Sequence, residues 1–330
     1  MENNKLKWME LIHLGSNLWR EEGNSKGREH RSTPEASPVL LFDRACWNKH
    51  TEDLRKAGVD TLVIDIAEAL KYESHPEINV RDSWDHATML KEIERLQGMG
   101  FELIPKLNFS AAHDIWLKDY SRMLSTPIYY QVCKDLIDEV CSLFKPKHFH
   151  IGMDEETAQN QKGLYYAAIR QGDLWWHDLH YLVDCVEKNN ARAWVWSDMA
   201  WSNPDAFFAK MPKSVVQCNW FYTNVFDPKE LGEYWGGSMK VIEKLNALGY
   251  DQVPTGSVWA KLDNFEGLTK YAVENIRSEN LIGLMQTSWE RIDPDWMHVH
   301  DSCVQTLKTA KDWYDNRKSA PIPRFFCKAW

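Results

Sequence analysis

The sequence has no CxxC pair, no HExxH, no GxGxxG or GxxxxGK[ST] after its first apolar run, and no GxSxG. These absences speak against a redox dithiol, a zinc-protease helix, a phosphate-cradling loop and a serine nucleophile elbow. No cofactor and no metal are therefore expected. Clustered Lys and Arg are also missing, and the formal net charge is −9. A nucleic-acid or anionic-membrane partner is not expected, because both need concentrated positive charge. No apolar run reaches the roughly 18 residues that a spanning helix needs. The polar start, Met1 to Lys7, lacks the apolar stretch of a secretion signal. The seven cysteines, Cys46, Cys133, Cys141, Cys185, Cys218, Cys303 and Cys327, are scattered and odd in number. They read as reduced, mostly buried thiols, so a cytoplasmic location is expected.

The chain does have a large apolar stock, 44% hydrophobic against 26% charged over 330 residues. It can bury a sizeable core, and disorder is not expected. Eight short apolar runs alternate with amphipathic segments: Met9–Leu14, Thr61–Ile66, Glu102–Asn108, His148–Gly152, Ala193–Ser197, Val215–Trp220, Gln252–Ser257 and Leu281–Thr287. Near-continuous apolar runs are expected of parallel strands covered on both faces. Three stripes have helical spacing: Val132, Leu136, Val140 and Leu143; Val299, Cys303, Leu307, Ala310 and Tyr314; and Met89, Ile93, Leu96 and Met99. Eight strand–helix alternations predict one (β/α)8 barrel over residues 1–330, a fold that takes about 250 residues plus insertions. A long polar loop is expected at about 21–38, after the first strand.

In such a barrel the chemistry sits at the C-terminal ends of the strands. Taken in order, those ends supply His13 and Asn17; Asp65; Asn108 and His113; Asp154, Glu155 and Glu156; Trp196 and Asp198; Trp220 and Tyr222; Trp259; and Trp289 and Glu290. Carboxylates and indoles thus converge from many strands. The chain carries 17 Trp, several of them at these ends. Flat aromatic faces pack on the apolar C–H faces of sugar rings, so a carbohydrate substrate is expected. Exposed Trp also leaves room for an oligomer interface.

The sharpest segment is His148-Phe-His-Ile-Gly-Met-Asp-Glu-Glu156, where a hydrophobic strand runs into three acids. Adjacent carboxylates repel, and a raised pKa in this trio is expected. A raised carboxyl is how a glycosidase keeps a proton to donate. Several of these residues also have purely structural readings. His150 packs inside the barrel, Asp65 pairs with Lys106, Asp198 caps a helix starting near Pro204, and Glu156 is the first-turn acid of the next helix. His148 and His150 also form an H-x-H pattern of the kind some barrel metallohydrolases use.

The segment His150-Ile-Gly-Met-Asp-Glu155 resembles the H-x-G-G-D-E signature of family 20 glycoside hydrolases, the β-N-acetylhexosaminidases. His75-Pro-Glu-Ile78, Leu103-Ile-Pro-Lys-Leu-Asn-Phe-Ser-Ala-Ala-His113 and Ser288-Trp-Glu290 resemble further segments of that family, in the right order from about Trp8 to Trp313. The resemblance implies substrate-assisted catalysis, in which the 2-acetamido oxygen of the sugar attacks the anomeric carbon. Asp154 matches the residue that holds the acetamido nitrogen, and Glu155 matches the general acid and base. Trp196, Trp220 and Trp289 would wall the sugar, Glu290 would accept from its hydroxyls, and Tyr222 would bond the acetamido carbonyl. His13, Asn17, Asp65, Asn108, His113, Asp198 and Trp259 complete the expected binding set.

The sequence departs from the family at four places. Met153 replaces the second signature glycine and is expected to narrow the space beside the acids. Lys106 and Asn108 replace acids on the third strand, no arginine matches near Met9–Leu14, and the usual small N-terminal domain has no counterpart. Two other readings stay open: a glycosidase with Glu155 as acid and Glu290 as nucleophile, and a sugar-binding barrel without turnover.

Overall fold

In the computed structural model, which describes residues 6–15, 20–24, 35–259 and 263–319, eight short strands form one parallel sheet. They are β1 (Lys7–His13), β2 (Thr61–Asp65), β3 (Glu102–Lys106), β4 (His148–His150), β5 (Arg192–Trp196), β6 (Val216–Cys218), β7 (Thr255–Ser257) and β8 (Gly283–Thr287). The ladder runs β6-β5-β4-β3-β2-β1-β8-β7. Four backbone hydrogen bonds join its two ends: Gln217 N to Asp251 O at 3.0 Å, Val253 N to Gln217 O at 2.9 Å, Thr255 N to Asn219 O at 3.0 Å and Phe221 N to Thr255 O at 3.0 Å. The sheet thereby closes into the (β/α)8 barrel that the alternation predicts.

The helices lie between the strands: α1 (Arg44–Lys56), α2 (His86–Gly98), α3 (Pro127–Phe144), α4 (Asp173–Lys188), α5 (Met199–Ser202), α6 (Pro204–Lys210), α7 (Glu233–Leu248) and α8 (Phe265–Asn275), with α9 (Met297–Ser319) after β8. Side chains set where several of them begin. Asp43 accepts from Cys46 N and Asp85 from Thr88 N, both at 2.8 Å, each satisfying an otherwise orphan first-turn donor. Thr126 caps α3, with Pro127 in its first turn. Gly249, at φ 74°, ends α7 in the left-handed turn that glycine adopts without strain.

Alternation along each strand divides the core in two. Leu62, Ile64, Leu103, Phe149, Val195 and Leu284 face outward and pack with the helices in the larger apolar cluster. Met9, Leu11, Val63, Ile104, Trp194, Trp196, Val216, Cys218, Trp220, Val253 and Met285 face inward and fill the barrel. The lumen is therefore packed, and a ligand has room only at its mouth.

Strands β2, β3 and β4 stop sooner than their apolar runs suggest, while β7 and β8 end where expected, at Ser257 and Thr287. Ile66, Leu107 and Ile151 extend the apolar pattern after the regular ladder has ended. Pairing persists there as single bonds, such as Phe109 N to Ile151 O at 3.1 Å and Trp196 N to Gly152 O at 3.0 Å. The stripe on α9 also sits one residue along from its expected start: His300, Cys303, Leu307 and Ala310 are buried, and Val299 is half-buried. Of the long loop expected at about 21–38, residues 25–34 lie outside the described residues. The six described cysteines form no disulfide.

Candidate active site

Strand register builds the floor of the site. It sets His13 beside Asp65, Asp65 beside Lys106, and Lys106 beside His150, a row of four buried polar side chains across β1 to β4. Lys106 Nζ donates to Asp65 Oδ2, and His13 Nδ1 lies 3.5 Å from the same oxygen. Burial raises the Asp65 carboxyl, but the Lys106 charge and His13 outweigh it and hold it at about 2. Burial, and then the Lys106 charge, push His150 down to about 3. Its Nδ1 accepts from Gly152 N at 3.0 Å, and its ring lies 4.5 Å from that of Trp196.

Two residues further along the chain, the acids gather around one cation. Asn108 Nδ2 donates to Asp154 Oδ1 at 2.9 Å, and Ser110 Oγ donates to the Asp154 carbonyl. His113 Nε2 stands 3.4 Å from Asp154 Oδ2 and 3.4 Å from Glu155 Oε2. Burial works against a charged His113, yet these two carboxylates raise it to about 10. It is an imidazolium at neutral pH. In return, although burial opposes it, His113, Lys106 and Asn108 hold Asp154 below the usual carboxylate range. The side chain of Asp154 is 8% exposed and that of Glu155 is 22%, so Glu155 is the more reachable of the two. One donor atom from each of His113, Asp154 and Glu155 lies within 4.8 Å of the others. These three are the residues at the mouth placed to hold a metal.

Within the Asp154–Glu156 trio, where a raised carboxyl is expected, Asp154 is lowered instead, and a raised one stands at the end of the next strand. Burial, then the Asp154 charge, push Asp198 up to about 8. Its Oδ2 accepts from Glu155 N at 2.9 Å, and it makes no cap bond to the helix it precedes, against the helix-cap reading. Glu156 does not start a helix either. Its side chain is buried on Arg170, whose Nη1 donates to it at 2.7 Å, and α4 begins only at Asp173.

Aromatic side chains form one wall. Trp289 Nε1 donates to Tyr222 OH at 3.0 Å, and the Trp289 ring lies 5.8 Å from Trp196 and 5.7 Å from His13. Trp220 stacks on Tyr222 at 5.2 Å. Tyr222 is raised by burial, Trp289 opposes this, and the charges of Glu155 and Asp154 raise it further. Tyr234 and Trp235, at the start of α7, pack against Trp201 and Trp220. Tyr234 is raised by burial, then by Glu155 and Asp198. A search confined to strand ends misses this pair. The only sequence signal for it is an aromatic pair set between Gly232 and Gly236.

The other expected residues are placed differently. Asn17 lies outside the described residues. Trp259 is half-buried just after β7, with its N–H on Ser257 Oγ at 2.9 Å. Glu290 is buried, and the charges acting on it are those of Arg291 and Asp293; burial pushes it up to about 7. Among the described residues it shares no hydrogen bond with Asp154 or Glu155. Trp289, at φ 58°, turns the chain between the aromatic wall and Glu290.

The segment that carries the acids is strained. Met153 and Glu155 have φ of 72° and 55°, in the left-handed region that side-chain-bearing residues rarely adopt. Gly152, at φ 73°, lies against Asn108, and a Cβ there would be 1.9 Å from Asn108 Oδ1. Met153 does not narrow the space beside the acids. Its side chain is buried in the outer apolar cluster, so the cost of replacing glycine is borne by the backbone.

Strained backbone, paired carboxylates and indoles at the C-terminal mouth of a (β/α)8 barrel make an enzyme-like site. The same fold is found in solved β-N-acetylhexosaminidases. The family 20 enzyme from Streptomyces coelicolor A3(2) is similar at a TM-score of 0.63 and 10% identity, over 95% of this chain and 67% of that one. The β-N-acetylhexosaminidase from Bacteroides fragilis NCTC 9343 is similar at 0.61 and 11%, over 96% and 69%. Dispersin B is similar at 0.58 and 11%, over 92% of this chain and 99% of its own. No protein-family model matches the sequence, and no curated protein matches it. The likeness is therefore one of fold, that of a divergent family 20-like barrel.

Proposed function

We propose that this chain is a glycoside hydrolase that removes β-linked N-acetylhexosamine with retention, using the substrate's own acetamido group as nucleophile. The observation that carries this reading is His113 lying 3.4 Å from both Asp154 and Glu155. One imidazole ring thus bridges the two side chains proposed for the reaction. Asp154, buried and fixed by Asn108, is suited to hold the acetamido N–H and the positive charge that develops on it. The acetamido oxygen bonds to the anomeric carbon as the bond to the leaving oxygen breaks, and Glu155 passes its proton to that oxygen. Glu155 then takes a proton from water as the water attacks the same carbon and opens the oxazolinium ring. Because Trp289 donates to the Tyr222 oxygen, the Tyr222 hydroxyl hydrogen is left to donate to the acetamido carbonyl. Trp289 offers a flat apolar face to the sugar, backed by the buried Trp196, while the buried Trp220 stacks on Tyr222.

Direct attack by Glu290 is the weaker reading. It needs two carboxyls about 5–5.5 Å apart, and the charges acting on Glu290 are those of Arg291 and Asp293. The test compares aryl β-glycosides of GlcNAc, GalNAc, galactose and glucose with wild type, Glu155→Gln and Asp154→Asn. Only 2-acetamido sugars should be cleaved, and each variant should lose about 10²–10⁴ in rate. Turnover of plain galactosides that Asp154→Asn leaves unchanged would reject substrate assistance.

A further inference from the structure

A buried ion cluster that the proposed reaction does not use is centred on Arg170, in the segment between β4 and α4. The side chains of Arg170, Glu156 and Asp178 are all buried. The guanidinium has four partners. Nη1 donates to Glu156 Oε2 at 2.7 Å and to the Phe109 carbonyl at 3.3 Å, Nη2 donates to Tyr129 OH at 2.8 Å, and Nε donates to Asp178 Oδ2. The backbone N–H of Arg170 donates to the other Glu156 oxygen, Oε1, at 2.7 Å. One residue thus grips both oxygens of Glu156 from 14 positions away. A planar fork with donors in fixed directions suits such a set, and a lysine ammonium does not.

The partners come from four parts of the fold. Tyr129 lies on α3 and Asp178 on α4, so the guanidinium is anchored to two helices of the outer ring. Asp178 is itself fixed, since Oδ2 also accepts from Ser125 Oγ at 2.6 Å and Oδ1 accepts from Tyr130 OH. Phe109 and Glu156 belong to the two loops that carry the acids and their cation. Phe109 stands between Asn108 and Ser110, which both bond Asp154, and four residues before His113. Glu156 directly follows Glu155. Arg170 therefore ties the two loops to each other and to the helices behind them.

Glu155 needs such support. Its φ of 55° lies where a side-chain-bearing residue does not settle unaided, so contacts around it must hold the turn. On one side its N–H rests on Asp198 Oδ2 at 2.9 Å, and Asn160 Nδ2 donates to its carbonyl at 3.1 Å. On the other side stands the Glu156 side chain, drawn into the interior by Arg170. Holding Glu156 inward fixes the direction in which its neighbour projects. We propose that Arg170 is a positioning residue: through Glu156 and Phe109 it sets the Glu155 carboxyl against His113 and the leaving oxygen. This rests on the reading of Glu155 as the acid.

The test uses two β-GlcNAc glycosides that differ only in the leaving group. A 4-methoxyphenyl oxygen needs a proton to depart, and a 2,4-dinitrophenyl oxygen does not. Arg170→Lys keeps the charge and loses the fork. It should lower kcat/KM about 10²-fold for the methoxyphenyl glycoside, the loss that a misplaced catalytic group brings. The dinitrophenyl glycoside should lose less than about tenfold. Equal losses on both, or none on either, overturn the proposal. If Arg170→Lys does not fold, Glu156→Gln is read in the same way, since it keeps Arg170 and replaces one accepting oxygen with an amide nitrogen. If wild type cleaves neither glycoside, the reading of Glu155 as the acid fails, and crystal structures of wild type and Arg170→Lys decide the positioning alone. A gap between His113 Nε2 and Glu155 Oε2 that widens from 3.4 Å in the variant supports it, and an unchanged gap overturns it.

Discussion

The backbone N–H of Glu155 donates to a carboxylate oxygen of Asp198 at 2.9 Å. The residue after β5 thus helps hold the residue proposed as the acid. Asp198 is itself raised to about 8, by burial and then by Asp154. For a group raised on folding, the stability it contributes is full below its ordinary value of 3.8 and is lost as pH rises through about 8. Wild type should therefore lose Tm progressively from about pH 4 to about pH 8, and Asp198→Asn, which cannot ionise, should lose less. Hydrolysis of an aryl GlcNAc glycoside by Asp198→Asn should stay within about tenfold of wild type at neutral pH and hold to higher pH. Superimposable pH profiles for the two proteins would show that Asp198 is already charged.

His113 gives the opposite test. It is raised to about 10, so its contribution is full below 6.5 and disappears as pH rises through about 10. The Tm gap between wild type and His113→Gln should be widest below pH 6.5 and close toward pH 10. Removing the cation should also cost about 10² in kcat, because Asp154 and Glu155 then repel each other unscreened. A gap that does not change with pH would mean that His113 is buried neutral.

Met153 sets two magnitudes against each other. Glycine at φ 72° would relieve about 1–2 kcal/mol of left-handed strain. It would also remove a buried methionine side chain, and large-to-small core changes of that kind cost about 2–5 kcal/mol. Met153→Gly should therefore destabilise the chain by about 1–3 kcal/mol in chemical denaturation. A more stable variant would show that this side chain adds little to the core.

Lys106 and Asp65 are a buried ion pair, with Asp65 held at about 2 against the cost of burial. Lys106→Met strands the carboxylate and should cost about 3–5 kcal/mol. The double variant Lys106→Met with Asp65→Asn should recover part of that loss. Because Asp65 is depressed, its stabilisation is present above its ordinary value of 3.8 and lost as pH falls through about 2. Acid unfolding of wild type and Lys106→Met should converge at the lowest pH, and a constant difference would deny the pair its charge.

The barrel is legible in the sequence because both faces of every strand are covered, leaving runs such as Thr61 to Ile66 almost wholly apolar. Strand ends are less legible, since Ile66 and Ile151 stay buried after the ladder has stopped. Asp154 and Glu155 stand out as acids directly after an apolar strand. Charge balance does not stand out. The cation that serves them is His113, from a loop 41 positions before Asp154. The neutral acid is Asp198, on another strand's end. Tyr234 and Trp235 come from the start of a helix, where periodicity gives no warning of a mouth. On α9 the spacing suits Val299 about as well as His300, and the Arg291 carbonyl that accepts from the buried imidazole comes from outside the helix.

The seam between β6 and β7 is held by four backbone bonds outside any regular ladder. The amides of Val253, Thr255 and Phe221 should be the first of the sheet to exchange with deuterium. The side of the rim that carries Trp220 and Tyr222 is then a compliant one, and the acids stand two strands away, after β4. A bulky substituent on the sugar would be accommodated by spreading that hinge-like edge, leaving the charged groups in place.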